Sequence, residues 1–231
     1  DSSIDTSCYS PPFLDLFVYD QGDRNLCNSF SPEQFFIHYG FIIRNMLRIT
    51  KPGRLSCVHT SDIPAMASRD GYIGVKDFPG DVIRAHEQEG WVFVGRAFCQ
   101  KNPQSQAIRT KSKALLFVQL RKDSADSRPA LIDQLLFFRK PGENAIPVKP
   151  VANGEMDNET WIEWAHGIWL GIRETETLNY HEARAADDEK HIAPLQLGTI
   201  ERCIKLYSNP GELVLDPFAG IGSTLYQAVR F

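Results

Sequence analysis

The stretch that most constrains the fold is Leu213–Thr224, near the end of the chain. Its apolar start stops at an acid, Asp216, passes through Gly220 and Gly222, and leads into a helix-forming run that begins at Ser223. This order predicts a buried parallel strand, a glycine turn and a helix start. Glycines after a strand let the backbone approach a ligand, and a helix start can bind its polar groups. We therefore predict a small-molecule site here, although many such turns only pack a helix on a sheet.

A second constraint lies at the opposite end of the chain. Ser2–Tyr9 predicts a strand that stops before the turn Ser10-Pro11-Pro12-Phe13. Because two prolines fix φ and donate no N–H, this turn holds its carbonyls and its serine in a preset arrangement. Such groups can accept hydrogen bonds from an amine, and the phenylalanine ring can stack on a planar ligand. The alternative is a proline-rich turn whose phenylalanine belongs to the core.

Together the two stretches resemble the β group of DNA amino-methyltransferases. The sequence from Asp216, Asp-Pro-Phe-x-Gly-x-Gly-Ser-Thr, is similar to the S-adenosylmethionine motif of enzymes that modify an exocyclic amine. A His-x-x-Pro sequence precedes it, as in that group. The resemblance implies that the flipped base is engaged by Ser10, Pro11, Pro12 and Phe13. It implies a cofactor-binding set made of His191, Pro194, Asp216, Phe218, Gly220, Gly222, Ser223 and Thr224.

The same resemblance implies the fold class. We expect an α/β, Rossmann-like sheet of the S-adenosylmethionine-dependent methyltransferases, with a circularly permuted motif order and an inserted target-recognition region. The catalytic half is expected at residues 1–120, the target-recognition insertion at 121–190 and the cofactor-binding half at 191–231. In the family, two more strands follow the glycine helix, and the first ends in an acid that holds the cofactor. We therefore expect that flanking segments are missing from this chain and that its cofactor site is incomplete.

Hydrophobic periodicity predicts the elements between the two motifs. These are a helix capped by Ser31 that ends at Pro52-Gly53, a strand at 55–59, a helix at 78–89 and an antiparallel strand pair at 91–99 and 114–120. His59 and Asp62 lie at the carboxyl edge of the first of these strands, where they can touch a substrate, with a structural role for His59 as the alternative. The long connection at 14–29 is predicted to be a flap beside the base.

Composition limits the classes of function. The 231 residues are 42% hydrophobic, with no apolar run that could span a bilayer and no export signal at the start, which predicts a cytoplasmic protein without a membrane partner. Five scattered cysteines without zinc-finger spacing predict reduced thiols and no metal site. The net charge of −4 is unevenly spread, because residues 96–149 carry eleven Lys or Arg residues against four Asp or Glu residues.

This basic segment predicts where DNA is bound. A loop at 101–113 is expected to contact phosphates, unless it is only a solvated basic loop. Its cations are Lys101, Arg109, Lys111 and Lys113. The range 121–190 contains an aromatic cluster around Trp161–Trp169, which we expect to read the DNA sequence. The acidic run Asp187-Asp188-Glu189 cannot itself face phosphate.

The resemblance implies a site-specific DNA methyltransferase with S-adenosylmethionine as cofactor and double-stranded DNA as partner, with a homodimer left open. The whole chain is similar to solitary prophage-type enzymes, many of which modify adenine N6, and this favours adenine. The Ser-Pro-Pro-Phe sequence resembles that of cytosine-N4 enzymes, which makes cytosine N4 the alternative. More remote alternatives are an RNA or protein-glutamine methyltransferase, in which the cofactor motif comes first, and a non-catalytic DNA-binding module.

Overall fold

The computed structural model describes residues 1–14, 26–29, 31–110, 113–179 and 194–231, without the side chains of residues 27, 109, 110 and 113. The strands are β1 (Thr6–Tyr9), β2 (Leu55–Ser61), β3 (Ile63–Ala65), β4 (Gly74–Lys76), β5 (Val92–Cys99), β6 (Asp133–Arg139), β7 (Ile168–Trp169) and β8 (Val214–Leu215). The helices are α1 (Pro32–Ile49), α2 (Ala67–Asp70), α3 (Phe78–Gln88), α4 (Pro103–Thr110), α5 (Phe117–Lys122), α6 (Asn158–Trp164), α7 (Leu197–Tyr207) and α8 (Ser223–Arg230). In the described part, no helix combines the length and apolar character needed to cross a membrane.

Six strands form one sheet in the order β7-β5-β6-β2-β1-β8, and β3 pairs with β4 separately. β1 runs parallel to both β2 and β8, whereas β6 runs antiparallel to β2 and β5. Because parallel strands end at the same edge of a sheet, the carboxyl ends of β8, β1 and β2 lie side by side. Both sequence motifs follow strands that end at this edge.

Helices cover both faces of the sheet. α1 and α3 pack on one face around Tyr39 and Val82, and α7 packs on the other around Ile200. α1 begins where the sequence predicts, because Ser31 Oγ accepts a 3.2 Å hydrogen bond from Gln34 N. The central strands of the sheet are thus covered by helices on both faces.

Ion pairs at the opposite edge tie three strands together. Arg54, only 2% exposed, donates a 2.9 Å hydrogen bond from Nε to Asp5 O and also pairs with Glu212. Asp5 Oδ2 accepts a 3.0 Å hydrogen bond from Leu213 N. These residues precede β2, β1 and β8, so their contacts help to set how the strands align. Removing one partner of a buried pair typically costs about 3–5 kcal/mol.

Most of the predicted elements are confirmed, including the helices that begin at Pro32 and Phe78 and the strands that became β2 and β5. β8 runs parallel to β1 as predicted, but it is half-buried rather than buried, and Leu213 before it is 57% exposed. Among the described residues β8 is an edge strand, so it is less covered than a central strand. The predicted flap at 14–29 falls mostly on residues 15–25, outside the described ones.

The strand predicted at 114–120 is wrong. These residues form a 3-10 turn and the start of α5, and the side chains of Phe117 and Val118 are 65% and 59% exposed. The antiparallel partner of β5 is instead β6, whose Leu135 and Phe138 are fully buried. The periodicity of a short apolar run does not show whether it forms a strand or a helix. Here residues 133–139 form the strand because they are buried between β2 and β5.

β6 also lies within the range predicted as an insertion, 121–190. It is a central strand of the main sheet, paired with β2 from Ser61 opposite Asp133 to Leu55 opposite Arg139. β7, from the same range, pairs with β5. Any inserted region therefore lies to either side of β6, and the recognition role of this range stays a prediction.

Candidate functional site

The two sequence motifs lie next to each other, although they come from opposite ends of the chain. β1 leads into Ser10, β8 leads into the glycine turn, and the two strands are hydrogen-bonded neighbours. Thr224 Oγ1 donates a 3.0 Å hydrogen bond to Cys8 O, and the ring centroids of Tyr9 and Phe218 are 5.8 Å apart. The structure thus brings the predicted base-binding turn and the predicted cofactor turn together at one edge.

The glycine turn has the backbone and the polar groups of a small-molecule site. Gly220 and Gly222 have φ of 51° and 85°, in the left-handed region that favours glycine. Asp216 Oδ1 accepts a 2.8 Å hydrogen bond from Phe218 N, and burial raises the pKa of the Asp216 carboxyl. Ser223 Oγ is buried without a hydrogen-bond partner among the described residues. A buried polar group in need of a partner fits a site that a polar ligand completes.

One further predicted cofactor residue lies near α7. Pro194 is half-buried just before this helix. Gln227 Nε2 of α8 donates a 2.9 Å hydrogen bond to Leu197 O at the start of α7, which joins the two helices. His191 lies outside the described residues. Its predicted contact with the cofactor therefore stays a prediction.

The proline turn presents a hydroxyl beside aromatic surface. Ser10 Oγ lies 3.1 Å from His59 Nδ1, on the neighbouring strand β2. The ring of Phe13 stacks on that of His59, at 6.2 Å and 23°, and lies 5.4 Å from the ring of Phe78. Pro11 is buried, which anchors the turn to the protein. A hydroxyl next to an aromatic ring is suited to an extruded base with an exocyclic amine.

A buried ion pair lies behind Ser10. His59 Nε2 lies 3.0 Å from Asp133 Oδ2, in a contact that lacks the alignment of a hydrogen bond, and Lys101 Nζ lies 2.6 Å from the same oxygen. The side chains of Lys101, His59 and Asp133 are 9%, 11% and 12% exposed. Burial acts to raise the pKa of Asp133, but the neighbouring His59 and Lys101 lower it overall. The Asp133 carboxyl is therefore ionised at neutral pH.

Lys101 does not lie on an exposed basic loop, as the sequence predicts, because its ammonium group is held in this buried pair. The rest of the predicted loop is largely the helix α4. The side chains of Arg109 and Lys113 lie outside the described part of the chain, as does all of Lys111. Their contacts with phosphate stay predictions.

Asp133 is the site residue that sequence reasoning missed. In the sequence, Asp133 is marked only by its position two residues before the apolar run Leu135–Phe138, which is buried in the structure. No sequence motif predicts that it contacts His59. Beside it, burial raises the pKa of the Cys99 thiol to about 12, so this thiol is neutral. Within the described ranges, no three His, Cys, Asp or Glu residues are arranged to hold a metal ion.

The aromatic cluster that was predicted to read DNA lines a cavity of about 310 Å³. Its aromatic lining consists of Trp161, Trp164, His166, Trp169, Phe137 and Tyr207. The guanidinium of Arg202 lies over two of these rings, at 5.2 Å from Trp164 and 5.5 Å from Trp169. The cavity lies against the sheet rather than in a separate domain, and its role in recognition stays a prediction.

Solved structures share this architecture. A Thermus thermophilus protein, described as a putative DNA modification methylase and solved with S-adenosyl-L-methionine, matches 99% of this chain and 76% of its own at 21% identity, with a TM-score of 0.71. The PvuII DNA methyltransferase, described as cytosine-N4-specific, matches 99% of this chain and 72% of its own at 16% identity, with a TM-score of 0.66. The predicted fold class, that of the S-adenosylmethionine-dependent DNA methyltransferases, is therefore confirmed.

Sequence comparison identifies the family. The family model for N6 and N4 methyltransferases, described as DNA methylase, matches residues 4–230. The chain therefore belongs to this DNA methylase family, and the resemblance to DNA amino-methyltransferases is confirmed. The type II methyltransferase M.BglI of Bacillus subtilis is 34% identical over 98 residues, which are 42% of this chain and 24% of that protein. The match thus spans about a quarter of that curated relative.

Proposed function

We propose that this protein transfers a methyl group from S-adenosylmethionine to the exocyclic amine of a base in DNA. The observation that carries the proposal is the contact between the two motifs, in which Thr224 donates a hydrogen bond to the strand that leads into Ser10. A transfer between two bound molecules requires both sites at one place, with the reacting atoms aligned. Family membership supports the same reaction class.

The cofactor turn suits the proposed methyl donor. Asp216 offers a half-buried carboxylate for the donor's polar groups, and Ser223 offers a buried hydroxyl without a partner among the described residues. The left-handed glycines Gly220 and Gly222 allow the backbone to approach the ligand closely. S-adenosylmethionine supplies a methyl group already activated on a sulfonium, so that no covalent intermediate between protein and base is needed. The chain's own residues then serve to bind, align and desolvate the amine.

The base turn suits the amine that accepts the methyl group. Ser10 Oγ and the carbonyls of the proline turn can accept hydrogen bonds from the amine protons, which turns the nitrogen lone pair toward the donor. Phe13 offers a ring on which an extruded base can stack, and it is itself supported by His59 and Phe78. The same turn loses little conformational entropy when a ligand binds, because its two prolines already restrict the backbone.

Two bases are candidates within this reaction. Adenine N6 is proposed from the likeness of the whole chain to prophage-type enzymes. Cytosine N4 is the second candidate, favoured by the Ser-Pro-Pro-Phe sequence and by the fold shared with PvuII DNA methyltransferase, described as cytosine-N4-specific. Both reactions need an amine held between the hydroxyl and the methyl donor, so the hydrogen-bonding groups of the base turn serve either base.

One experiment tests the reaction and the base together. Duplex DNA is incubated with the protein and labelled S-adenosylmethionine, digested to nucleosides and analysed by mass spectrometry. We expect N6-methyladenine, with N4-methylcytosine as the second candidate outcome. Ser10→Ala is the test variant, and Ser3→Ala, at an exposed serine, is the matched control. DNA binding without any methylated nucleoside would instead identify a non-catalytic DNA-binding module.

A further inference from the structure

Ser10 and the three polar side chains behind it form a line. Each of the four residues lies in or next to a different strand. Ser10 follows β1, His59 belongs to β2, Asp133 begins β6 and Lys101 follows β5. The three successive contacts, from the serine oxygen to the lysine nitrogen, measure 3.1, 3.0 and 2.6 Å. Every member beyond the serine is nearly buried. Burying three titratable groups costs folding free energy. Such groups cluster at functional sites, so their alignment behind one hydroxyl indicates a role in the chemistry of Ser10.

The Asp133 carboxylate favours a proton on the nitrogen of His59 that faces it, although the contact is not aligned as a hydrogen bond. An ionised carboxylate only accepts hydrogen bonds, so the nitrogen that faces it, Nε2, holds the proton of the neutral imidazole. Nδ1 is then an acceptor, and the Ser10 hydroxyl donates to it. The lone pairs of the Ser10 oxygen are therefore left to accept a hydrogen bond from an amine.

We propose that Ser10, His59 and Asp133 form a relay that removes the proton released when the base amine is methylated. The inference rests on the proposed function. His59 is a positioning residue in this relay, because it acts on the amine through Ser10. Asp133 holds the imidazole in the required tautomer and stabilises its charged form, by the same logic as in Ser-His-Asp hydrolases.

The proton balance of the step is complete without a further reactant. The amine nitrogen bonds to the methyl carbon as the carbon–sulfur bond breaks, and the electron pair of that bond stays on sulfur. The nitrogen is then positively charged and loses one proton to Ser10 Oγ, while the Ser10 hydroxyl proton passes to His59 Nδ1. The imidazolium lies beside the Asp133 carboxylate and later releases its proton to water.

Two charged groups lie next to His59 in the relay. The Asp133 carboxylate faces its Nε2, and the Lys101 ammonium binds the same carboxylate oxygen. The Cys99 thiol beside Asp133 is neutral, since burial raises its pKa to about 12. The charged neighbours of Asp62, which follows β2, are Asp77 and Arg96. Among the described residues, Asp133 and Lys101 are thus the two charges to change.

The first test replaces His59 with a residue that keeps hydrogen bonding but cannot take up a proton. For His59→Gln we expect the single-turnover methylation rate to fall by about 100-fold, and the rise of the wild-type rate with pH to disappear. The Kd values for S-adenosylmethionine and DNA should stay within about twofold of wild type, because ground-state binding is not what the relay supplies. A His59→Gln protein that keeps the wild-type rate and pH profile would overturn the relay.

A second test changes the two charges in opposite senses. Asp133→Asn should move the midpoint of the rate profile to lower pH, and Lys101→Met should move it to higher pH, because one removes a negative and the other a positive neighbour. A merely structural role predicts lower rates without opposite shifts of the midpoint. Midpoints that shift in the same direction, or stay in place, contradict the relay.

A third test does not depend on methylation. Histidine side-chain nitrogen NMR of the wild-type protein should show His59 as the Nε2–H tautomer, with its signals identified by their loss in His59→Gln. Asp133→Asn should increase the Nδ1–H population. An Nδ1–H tautomer in the wild type overturns the relay. If the wild type methylates no DNA, the proposed function fails; if it methylates while His59→Gln is unimpaired, only the relay fails.

Discussion

Thr224 Oγ1 donates a 3.0 Å hydrogen bond to Cys8 O, joining two positions 216 residues apart in the sequence. Both residues are buried, at 1% exposure each. Thr224 lies in the first turn of α8, and Cys8 lies in β1 two residues before Ser10. The bond therefore ties the helix that follows the glycine turn to the strand that leads into the base turn. Such ties matter because a misplacement of about 1 Å can cost about 100-fold in rate.

Removing this tie should destabilise the protein. Thr224→Val replaces the hydroxyl by a methyl group of nearly the same shape and leaves the buried Cys8 carbonyl without its donor. We expect the free energy of unfolding to fall by about 1–3 kcal/mol, measured by urea denaturation. Thr175→Val, at an exposed threonine, serves as the matched control and should change it by less than about 0.5 kcal/mol. An equal loss in both variants would contradict this prediction.

Substitutions in the two motifs should have different effects, one on cofactor binding and the other on turnover. Asp216→Ala should raise the Kd for S-adenosylmethionine by about tenfold or more, because a carboxylate that binds the cofactor acts in the ground state. Ser10→Ala should leave that Kd unchanged and lower the single-turnover rate by about 100-fold, because its bond to the amine tightens as the nitrogen changes geometry. Calorimetry and rapid quench measure the two quantities. A wild-type rate in Ser10→Ala would refute the catalytic assignment.

The salt dependence of DNA binding should distinguish Lys111 from Lys101. Lys111 is a predicted phosphate contact, so Lys111→Ala should weaken binding to all sequences alike and lower the slope of log K against log salt by about 1. Lys101→Ala should leave the slope unchanged, because its charge is already paired with Asp133. Binding is measured across a salt series with one duplex. A flatter slope for Lys101→Ala alone would reverse the assignment.

The aromatic cavity should affect which DNA is chosen more than how tightly DNA is held. Trp161 lines the cavity and is 48% exposed, which leaves its ring accessible to a partner. We expect Trp161→Ala to reduce the ratio of affinities for target and mismatched duplexes, with little change in binding to non-specific DNA. Trp169→Ala is unsuitable as a comparison, because that side chain is fully buried in the core. An unchanged ratio would remove the cavity from recognition.

The stability of the protein should decrease as the pH is lowered, over a range set by the pKa of His86. This histidine is fully buried, stacks on Phe138 at 4.0 Å and donates a 2.8 Å hydrogen bond from Nδ1 to Val82 O. Burial lowers the pKa of His86 to about 4, whereas the unfolded chain takes up the proton near 6.5. Because the unfolded state binds more protons between these values, stability is present above about pH 6.5 and is lost as pH falls toward 4, by at most about 3 kcal/mol.

Two variants check the source of this loss. His86→Gln should be less stable at pH 7 but should lose less stability between pH 6.5 and 4 than the wild type does. His38→Gln, at an exposed histidine of α1, should keep the wild-type slope. Urea denaturation at a series of pH values measures both. A wild-type slope in His86→Gln would assign the pH dependence to other groups.

The sequence by itself determined the local structure of both motifs. The strand, glycine turn and helix around Asp216 are predictable because an apolar run, an acid and two positive-φ glycines stand within a dozen residues, and each acts on the backbone next to it. The start of α1 at Ser31 is predictable for the same reason. Residue order also determined the family, which the match over residues 4–230 confirms.

Only the tertiary structure decided which apolar run completes the sheet and which groups stand behind Ser10. Residues 114–120 and β6 both contain short apolar runs, and only burial between β2 and β5 makes the second one a strand. Asp133 reaches His59 because β6 pairs with β2 in a register that places Asp133 opposite Ser61. Lys101, which was predicted to lie on an exposed loop, is instead buried because it pairs with the same carboxylate. Register and charge pairing depend on contacts between residues far apart in the chain, which no local pattern encodes.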